Sequence, residues 1–233
     1  MIVQILLFAS YREVIGEQEI SLECPVGTTA RRCASLIEQT YGISLKGALC
    51  AINEHYASPD TIIQASDKVA FFPPVSGGMS TSENTVATIE DVFIVTEDVL
   101  ELSTLSQQAR DPAWGAQASF IGTVRSPNAG QVVSYIDYEG YDSMILTQMQ
   151  QVAKDLRVQV ELGKIIIAHR LGRLVPGDTS IAIVIASAHR REALAACSAC
   201  IDLCKERLPV WKYEVTKAGA MWVDGNSQAA QPL

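Results

Sequence analysis

The N-terminal third of the chain alternates short apolar segments with polar and turn residues. Residues 2–8 are rich in Ile, Val and Leu, which predicts a central strand, and residues 17–24 alternate polar with apolar positions as a half-buried strand does. Residues 49–53 and 69–72 are two further apolar runs of strand length. The segment 12–16, between the first two strands, is expected to be a turn.

One helix is predicted between the second and third of these strands. Thr29 is placed to cap its N-terminus, and Gly42 is placed to end it, because glycine readily adopts the left-handed conformation found at helix C-termini. A hairpin, a helix and two strands in this order predict a compact ubiquitin-like β-grasp fold. The apolar face of the helix is predicted to consist of Ala30, Cys33, Ala34, Ile37 and Tyr41.

The remainder of the chain predicts a second α+β domain. Residues 79–88 are small, polar and without a hydrophobic period, which favours a linker between a first domain over 1–78 and a second over 89–233. In the second domain we expect strands near 90–96, 115–125, 132–139, 164–169 and 180–188, helices near 98–108, 142–160 and 190–207, and a hairpin over 210–223.

Composition and charge narrow the classes of function. A hydrophobic content of 48% with 19% charged residues is typical of a globular protein. No apolar run reaches the roughly 18 residues that span a bilayer, and residues 1–8 lack a basic leader, so we expect a cytoplasmic protein. The net charge of −8 argues against general nucleic-acid binding. Residues 189–217 nevertheless carry six basic and four acidic residues, a local excess that suits a small anionic ligand.

Three of the six cysteines, Cys197, Cys200 and Cys204, recur on one stripe of a predicted helix. A tetrahedral zinc site would need a fourth ligand, and none is near in the sequence. Buried cysteines that act as small apolar side chains are therefore the better interpretation.

Basic residues at the ends of predicted elements are the candidates for anion binding. His189 and Arg190 follow a strand and begin a helix, where backbone N–H groups attract anions. Arg125 ends a strand, and a guanidinium can bind phosphate oxygens through two hydrogen bonds. Each also has a simpler explanation. His189 can be a buried histidine, Arg190 a solvated arginine, and Arg125 the surface end of a strand. For His169 and Arg170, at another strand end, an orienting or interface role is the simpler explanation.

Two lysines are the candidates for proton transfer or nucleophilic chemistry. Lys205 lies near the end of the last predicted helix, and Lys212 follows Trp211 in the next strand. A partly desolvated lysine beside other cations has a lowered pKa and can act as a base. The alternative is that both lie on solvated surfaces, where lysines near a helix C-terminus are common.

The last strand of the first domain leads into an unusual segment, Phe72-Pro-Pro-Val-Ser-Gly-Gly78. The two prolines end the strand, and a diglycine can enter a narrow channel because it has no Cβ atom. A flexible linker is the simpler explanation for a diglycine considered alone.

Taken together, these stretches resemble molybdopterin synthase with its small and large subunits joined in one chain. Residues 72–78 are similar to the terminal motif of the small, ubiquitin-like sulfur-carrier subunit. The stretches similar to the large, catalytic subunit are 120–125, 138–141, 169–172, 176–178, 187–190, Lys205 and 209–212.

The resemblance implies a β-grasp sulfur carrier followed by a catalytic domain of the α/β hammerhead type. In the family, an activating enzyme adenylates the terminal glycine of the small subunit, which becomes a thiocarboxylate. Two sulfurs then pass from successive carriers to cyclic pyranopterin monophosphate and form the dithiolene of molybdopterin. The family relation also implies a homodimer and no metal or other cofactor for the sulfur transfer itself, since molybdenum enters later.

Matched position by position, the resemblance assigns roles to the candidates. Gly78, with Gly77, corresponds to the thiocarboxylate end. Lys205 and Lys212 correspond to the essential lysines of the family. The anion-binding set corresponds to Arg125, His189 and Arg190.

The sequence departs from the family at Gly78, which is followed by Met79 and is therefore not a chain end. An internal amide cannot be adenylated, so we expect a protease to cut after Gly78; an intact chain that accepts sulfur from a separate carrier is the alternative.

Tyr213 and Met221 stand where relatives often carry basic residues, which predicts a weaker pocket charge. A non-catalytic sulfur-carrier scaffold remains a competing interpretation, which predicts that the five basic candidates do not converge on one cleft.

Overall fold

The computed structural model describes residues 1–74, 91–128 and 130–223. The chain divides into two compact units, with the boundary after Pro74. The expected linker at 79–88 and the Gly77-Gly78 pair lie outside the described residues. Within the described ranges, none of the helices is both long and apolar enough to cross a membrane.

The N-terminal unit is built from five strands and two helices in its described residues. These are β1 (Ile2–Leu7), α1 (Ala9–Ile15), β2 (Glu19–Glu23), α2 (Ala30–Tyr41), β3 (Leu49–Ile52), β4 (His55–Ala57) and β5 (Lys68–Phe72). The strand order is β2-β1-β5-β3-β4, with β1 and β5 parallel at the centre and the other pairs antiparallel. The predicted β-grasp fold is confirmed.

Helix α2 begins and ends where the sequence predicts. The Arg32 N–H donates to the Thr29 hydroxyl at 3.3 Å, and Gly42 has a φ of 68° and donates its N–H to the Glu38 carbonyl. Its inner face ends one turn earlier than predicted, because Tyr41 is 39% exposed.

The predicted turn at 12–16 is wrong, because Ala9–Ile15 forms helix α1, and Gly16 ends this helix with a φ of 83°. Only Ala9 of this helix is buried, so the sequence lacks the apolar stripe by which a helix is recognised. The three-residue strand β4 is an addition to the predicted elements.

The end of β5 is anchored by aromatic packing. Phe72 is fully buried, and its ring centroid lies 6.4 Å from that of Phe8 and 5.9 Å from that of Tyr56. The chain therefore leaves this unit toward Pro73 from a fixed point.

The second unit contains eight strands and three helices in its described residues. These are β6 (Val92–Thr96), α3 (Leu102–Gln108), β7 (Ala116–Thr123), β8 (Val133–Gly140), α4 (Asp142–Gln159), β9 (Ile165–Arg170), β10 (Gly172–Leu174), β11 (Thr179–Ser187), α5 (Arg190–Arg207), β12 (Val210–Thr216) and β13 (Gly219–Val223). They form two four-stranded sheets, β6-β9-β11-β7 and β10-β8-β12-β13. This mixed α+β architecture agrees with the predicted fold class.

The central strands of the first sheet, β9 and β11, are buried on both faces, since their alternate residues point to opposite faces and both sets are apolar. Ile165, Ile167, Ile183 and Ile185 lie in one core cluster with residues of α4 and α5. The residues between them, such as Ile166 and Val184, lie in a second cluster with Leu105 of α3.

Most elements of this unit match the sequence pattern, including both bounds of α5. Helix α3 starts at Leu102 and not near residue 98, and the short strand β10 was not predicted. The cysteine stripe is confirmed as core, since Cys197, Cys200 and Cys204 are buried free thiols in the cluster of α4 and α5.

Candidate active site

A cavity of about 530 Å³ opens in the second unit between the C-terminal end of α5 and the strands β7, β8, β11 and β12. Its volume lies in the range of pockets that hold small molecules. Apolar side chains such as Phe120, Ile136 and Ile201 form part of its wall, and polar and charged side chains form the remainder. Three of the five predicted basic residues line it, namely Arg125, Lys205 and Lys212.

Each of these cations comes from a different element. Arg125 follows β7, Lys205 lies in the last turn of α5, and Lys212 lies in the middle of β12. Leu208 and Pro209 connect α5 to β12, and Leu208 lies in the same wall. This short connection turns the chain back and brings the two lysines to one cavity.

Lys212 has the most altered electrostatics of the three. Its side chain remains accessible from the cavity, yet the surrounding protein desolvates its ammonium, and this burial lowers its pKa below 10.5. The positive charges of Lys205 and Arg125 lower the pKa further, while Glu214 opposes them. A lysine that is more readily deprotonated than usual agrees with the expectation from sequence.

A hydrogen-bonded chain links Arg125 to an acidic residue in the wall. The Nε and Nη2 atoms of Arg125 donate to Oδ1 of Asn128 at 3.2 and 2.9 Å. The Nδ2 atom of Asn128 donates to Oε2 of Glu214 at 2.9 Å. Glu214 is only 7% exposed, so a carboxylate is held inside a mainly cationic cavity.

His169 supplies a neutral imidazole to the same wall. Burial lowers its pKa to about 4, and the nearby Lys212 contributes to the decrease. Its Nδ1 atom lies 3.0 Å from the Arg170 carbonyl, which can only accept, so Nδ1 carries the proton and Nε2 is the acceptor. The ring packs edge-on against Tyr138 with 5.8 Å between centroids.

The other two predicted residues, His189 and Arg190, lie elsewhere in the same copy of the chain. Both are exposed, His189 is the N-cap of α5, and neither lines the cavity. Lys205 lies fifteen residues further along this helix than Arg190, which corresponds to roughly 23 Å at 1.5 Å per residue. One copy therefore does not bring all five basic residues around one cleft.

Sequence reasoning missed three residues of the wall as site residues, namely Asn128, Tyr138 and Glu214. The alternation of β12 places Glu214 on the same face as Lys212, so this residue could have been found from the strand period. The long-range bond of Asn128 to Glu214 had no signal in the sequence. His169 lines the cavity directly, a position for which the sequence favoured a supporting role.

The described residues contain no group of three or more His, Cys, Asp or Glu side chains that could hold a metal ion.

Comparison with known proteins covers both units. The family described as "MoaE protein" matches residues 95–207, and the "ThiS family" matches residues 5–78. The molybdopterin synthase catalytic subunit of Pyrococcus abyssi is 38% identical over 112 residues, which are 48% of this chain and 76% of the relative. That of Nostoc sp. is 37% identical over 140 residues, which are 60% of this chain and 81% of the relative.

A solved structure supports the same relation. The crystal structure of molybdopterin synthase from Staphylococcus aureus aligns with a TM-score of 0.54 at 26% identity, and the alignment covers 56% of this chain and 96% of that chain.

Proposed function

The chain belongs to the molybdopterin synthase catalytic subunit family, a family of sulfur-transferring enzymes of molybdenum cofactor biosynthesis, and we propose that it both carries and transfers the sulfur. In this proposal, two thiocarboxylates on Gly78 of successive carriers each donate one sulfur to cyclic pyranopterin monophosphate, and water releases each Gly78 as a carboxylate. The two sulfurs together form the dithiolene of molybdopterin. The observation that carries the proposal is the convergence of Arg125, Lys205 and Lys212 on one cavity of the MoaE-like unit, with a ThiS-like unit in the same chain.

The roles follow from the chemistry of the cavity. Arg125 binds the phosphate of the substrate, because a guanidinium presents several donors to phosphate oxygens. Lys205 orients the incoming thiocarboxylate, and Lys212 exchanges protons as the cyclic phosphate opens, since its lowered pKa suits proton transfer. The mainly cationic wall stabilises the negative charge that develops on sulfur and phosphate.

His189 and Arg190 bind the same substrate only if a second copy of the chain supplies them, given their distance from Lys205. We therefore propose a homodimer in which the N-terminal end of α5 from one copy completes the cavity of the other. Such a dimer adds two donors and the positive end of a helix dipole to the anion site.

The proposed domain bounds are 1–78 for the carrier, 79–88 for the linker and 89–233 for the catalytic domain. The proposed partners are an adenylating and sulfurylating enzyme and a protease that cuts after Gly78, and the proposed compartment is the cytoplasm.

Mass spectrometry of purified active protein tests the cleavage: fragments ending at Gly78 support it, and active protein that is entirely full-length overturns it. Gly78→Ala is expected to abolish the thiocarboxylate on this chain.

The decisive experiment for the activity uses lysine variants. Lys205→Ala and Lys212→Ala are each expected to lower sulfur transfer at least about a hundredfold while the protein stays folded. Lys217→Ala, in the turn between β12 and β13, is the matched control and should retain full activity. If the cavity lysines prove dispensable, the chain is a non-catalytic sulfur-carrier scaffold instead.

A further inference from the structure

Backbone hydrogen bonds hold Asn128 in the connection between β7 and β8. The N–H of Asn128 donates to the Gln131 carbonyl at 2.9 Å, and the N–H of Gln131 donates to the Asn128 carbonyl at 2.8 Å. The hydroxyl of Ser126 accepts from the N–H of Val133 at 3.1 Å. Asn128 therefore occupies a set position at the wall of the cavity.

The amide of Asn128 has a single possible orientation. A guanidinium has only donors, so the atom that faces Arg125 must be Oδ1; an ionised carboxylate has only acceptors, so the atom that faces Glu214 must be Nδ2. Three hydrogen bonds of 2.9–3.2 Å satisfy this arrangement. Each joins the neutral amide to a charged group, and hydrogen bonds of this kind are stronger than neutral ones.

We propose that Asn128 is a positioning residue for phosphate binding, which holds the Arg125 guanidinium toward the cavity while keeping it apart from the Glu214 carboxylate. This inference rests on the proposed function. Arg125 is an exposed, long side chain, and such a side chain loses considerable rotamer entropy when it binds a ligand. Fixing its Nε and Nη2 atoms beforehand lowers that cost and leaves both N–H groups of Nη1 and the second N–H of Nη2 to meet the substrate.

The neutral amide of Asn128 keeps the two charged groups apart. A direct pair between Arg125 and Glu214 would neutralise the guanidinium and weaken its attraction for a phosphate. The Asn128 amide accepts from the guanidinium and donates to the carboxylate, so it bridges the two charged groups without adding a charge. Glu214 in turn lies on the same strand face as Lys212 and raises the pKa of that lysine.

Two variants of Asn128 distinguish positioning from loop structure. Asn128→Ala removes all three side-chain hydrogen bonds and should raise the KM for cyclic pyranopterin monophosphate about tenfold. Asn128→Asp keeps the shape and the acceptor for Arg125 but places a second carboxylate beside Glu214 and pairs with the guanidinium. At pH 8 it should therefore raise this KM further, to about a hundredfold. For both, the KM for the sulfurylated carrier and the kcat should change less than about threefold.

A merely structural role predicts instead that both variants disturb the cavity as a whole and change kcat and the KM for the sulfurylated carrier as much as the KM for the pterin. Gln131→Ala is the matched control, because its exposed side chain changes while the backbone bonds of the loop remain. Wild-type KM values for both Asn128 variants, or a milder effect of aspartate than of alanine, would overturn the inference.

An independent readout separates this inference from the proposed function. In ¹⁵N spectra of the full chain, the Nε–H signal of Arg125, identified by its loss in Arg125→Lys, should exchange slowly with water. Asn128→Ala should make its exchange at least about tenfold faster, because the hydrogen bond to Oδ1 is gone. An unchanged exchange rate contradicts the positioning role. Lack of turnover by the wild-type protein would contradict only the proposed function.

Discussion

The Nζ atom of Lys212 lies 5.9 Å from the centre of the Tyr138 ring. The ring face favours the charged ammonium modestly, as does the carboxylate of Glu214. Burial and the charge of Lys205 act in the opposite direction and prevail, so the pKa of Lys212 is lowered. This balance makes the protonation of Lys212 sensitive to its neighbours.

Replacing Glu214 by glutamine should lower the pKa of Lys212 further. The carboxylate stabilises the ammonium, so its removal favours the neutral amine and moves the titration to lower pH. The rate at which a small amine-reactive reagent labels Lys212, followed by mass spectrometry across pH, reports the neutral fraction. The labelling curve of Glu214→Gln should lie at lower pH than that of the wild type.

Labelling of the exposed Lys217 in the same samples controls for the intrinsic pH dependence of the reagent. An unchanged curve, or one moved to higher pH, would show that Glu214 does not act on Lys212 through its charge.

Stability of the second unit should fall between pH 7 and pH 5 because of His169. Its pKa of about 4 in the folded protein lies below the value of 6.5 expected for the unfolded chain. Below pH 6.5 the unfolded chain therefore binds a proton that the folded protein does not bind, and unfolding becomes more favourable. The free energy of unfolding should decrease by about 2 kcal/mol from this residue between the two pH values.

Denaturant titration followed by tryptophan fluorescence measures this effect in the second unit, because Trp114, Trp211 and Trp222 all belong to it. His169→Gln should remove most of the pH-dependent loss, whereas His189→Gln, at an exposed histidine, should retain it. Equal pH dependence of the His169 variant and the wild type would refute the assignment.

The buried ion pair of Arg157 and Asp91 should contribute strongly to folding. The two side chains are 12% and 13% exposed and approach to 2.6 Å, and Asp91 also accepts the N–H of Ile165 at 2.8 Å. Asp91→Ala leaves the guanidinium of Arg157 buried without its counter-charge, so it should destabilise the second unit by about 3 kcal/mol or more. The same fluorescence titration measures the change.

The exposed pair of Arg173 and Asp137 is the comparison, since its side chains are 60% and 37% exposed. Asp137→Ala should produce a much smaller change, because solvent screens the charges. Similar losses for both variants would contradict the distinction between the buried and the exposed pair.

The sequence predicted those elements whose hydrophobic pattern is strong. Helix α5 carries a buried cysteine stripe and ends before Pro209, and its bounds were predicted correctly. Helix α1 buries a single residue and was mistaken for a turn, because a short exposed helix has no apolar stripe to reveal it. The strands β4 and β10 have three residues each, too few for a period to show.

The parts of the site that were predictable are those whose residues lie close together in the sequence. Contacts between residues far apart in the sequence were not predictable. Lys205 and Lys212 are close in sequence, and their meeting in one cavity follows from the short connection at Pro209. The bond from Asn128 to Glu214 spans 86 positions, and nothing in either segment alone indicates it. The roughly 23 Å between Arg190 and Lys205 could be calculated from the predicted helix, yet the resemblance to one family suggested a single cluster.

Mixed dimers should show whether His189 acts in the cavity of a partner copy. Lys205→Ala and His189→Ala are each expected to be nearly inactive alone. In a mixed dimer, however, the Lys205→Ala copy supplies an intact His189 to the cavity that retains Lys205. Random mixing makes half of the dimers mixed, with one complete site in each, so activity should return to about a quarter of the wild-type level.

Sulfur transfer by samples in which the two variants are unfolded together, refolded and compared with each variant alone provides the measurement. A mixture no more active than the average of its components would place His189 in its own cavity, or outside the reaction.

The most direct measurement follows a labelled sulfur through a single turnover. With the chain cut after Gly78, a thiocarboxylate on this residue is prepared with ³⁴S, cyclic pyranopterin monophosphate is added, and mass spectrometry locates the label. We expect the label to move from Gly78 to the pterin in the wild-type protein and to stay on Gly78 in Lys212→Ala. A label that remains on Gly78 in the wild-type protein, or that moves equally fast in the lysine variant, would contradict the account.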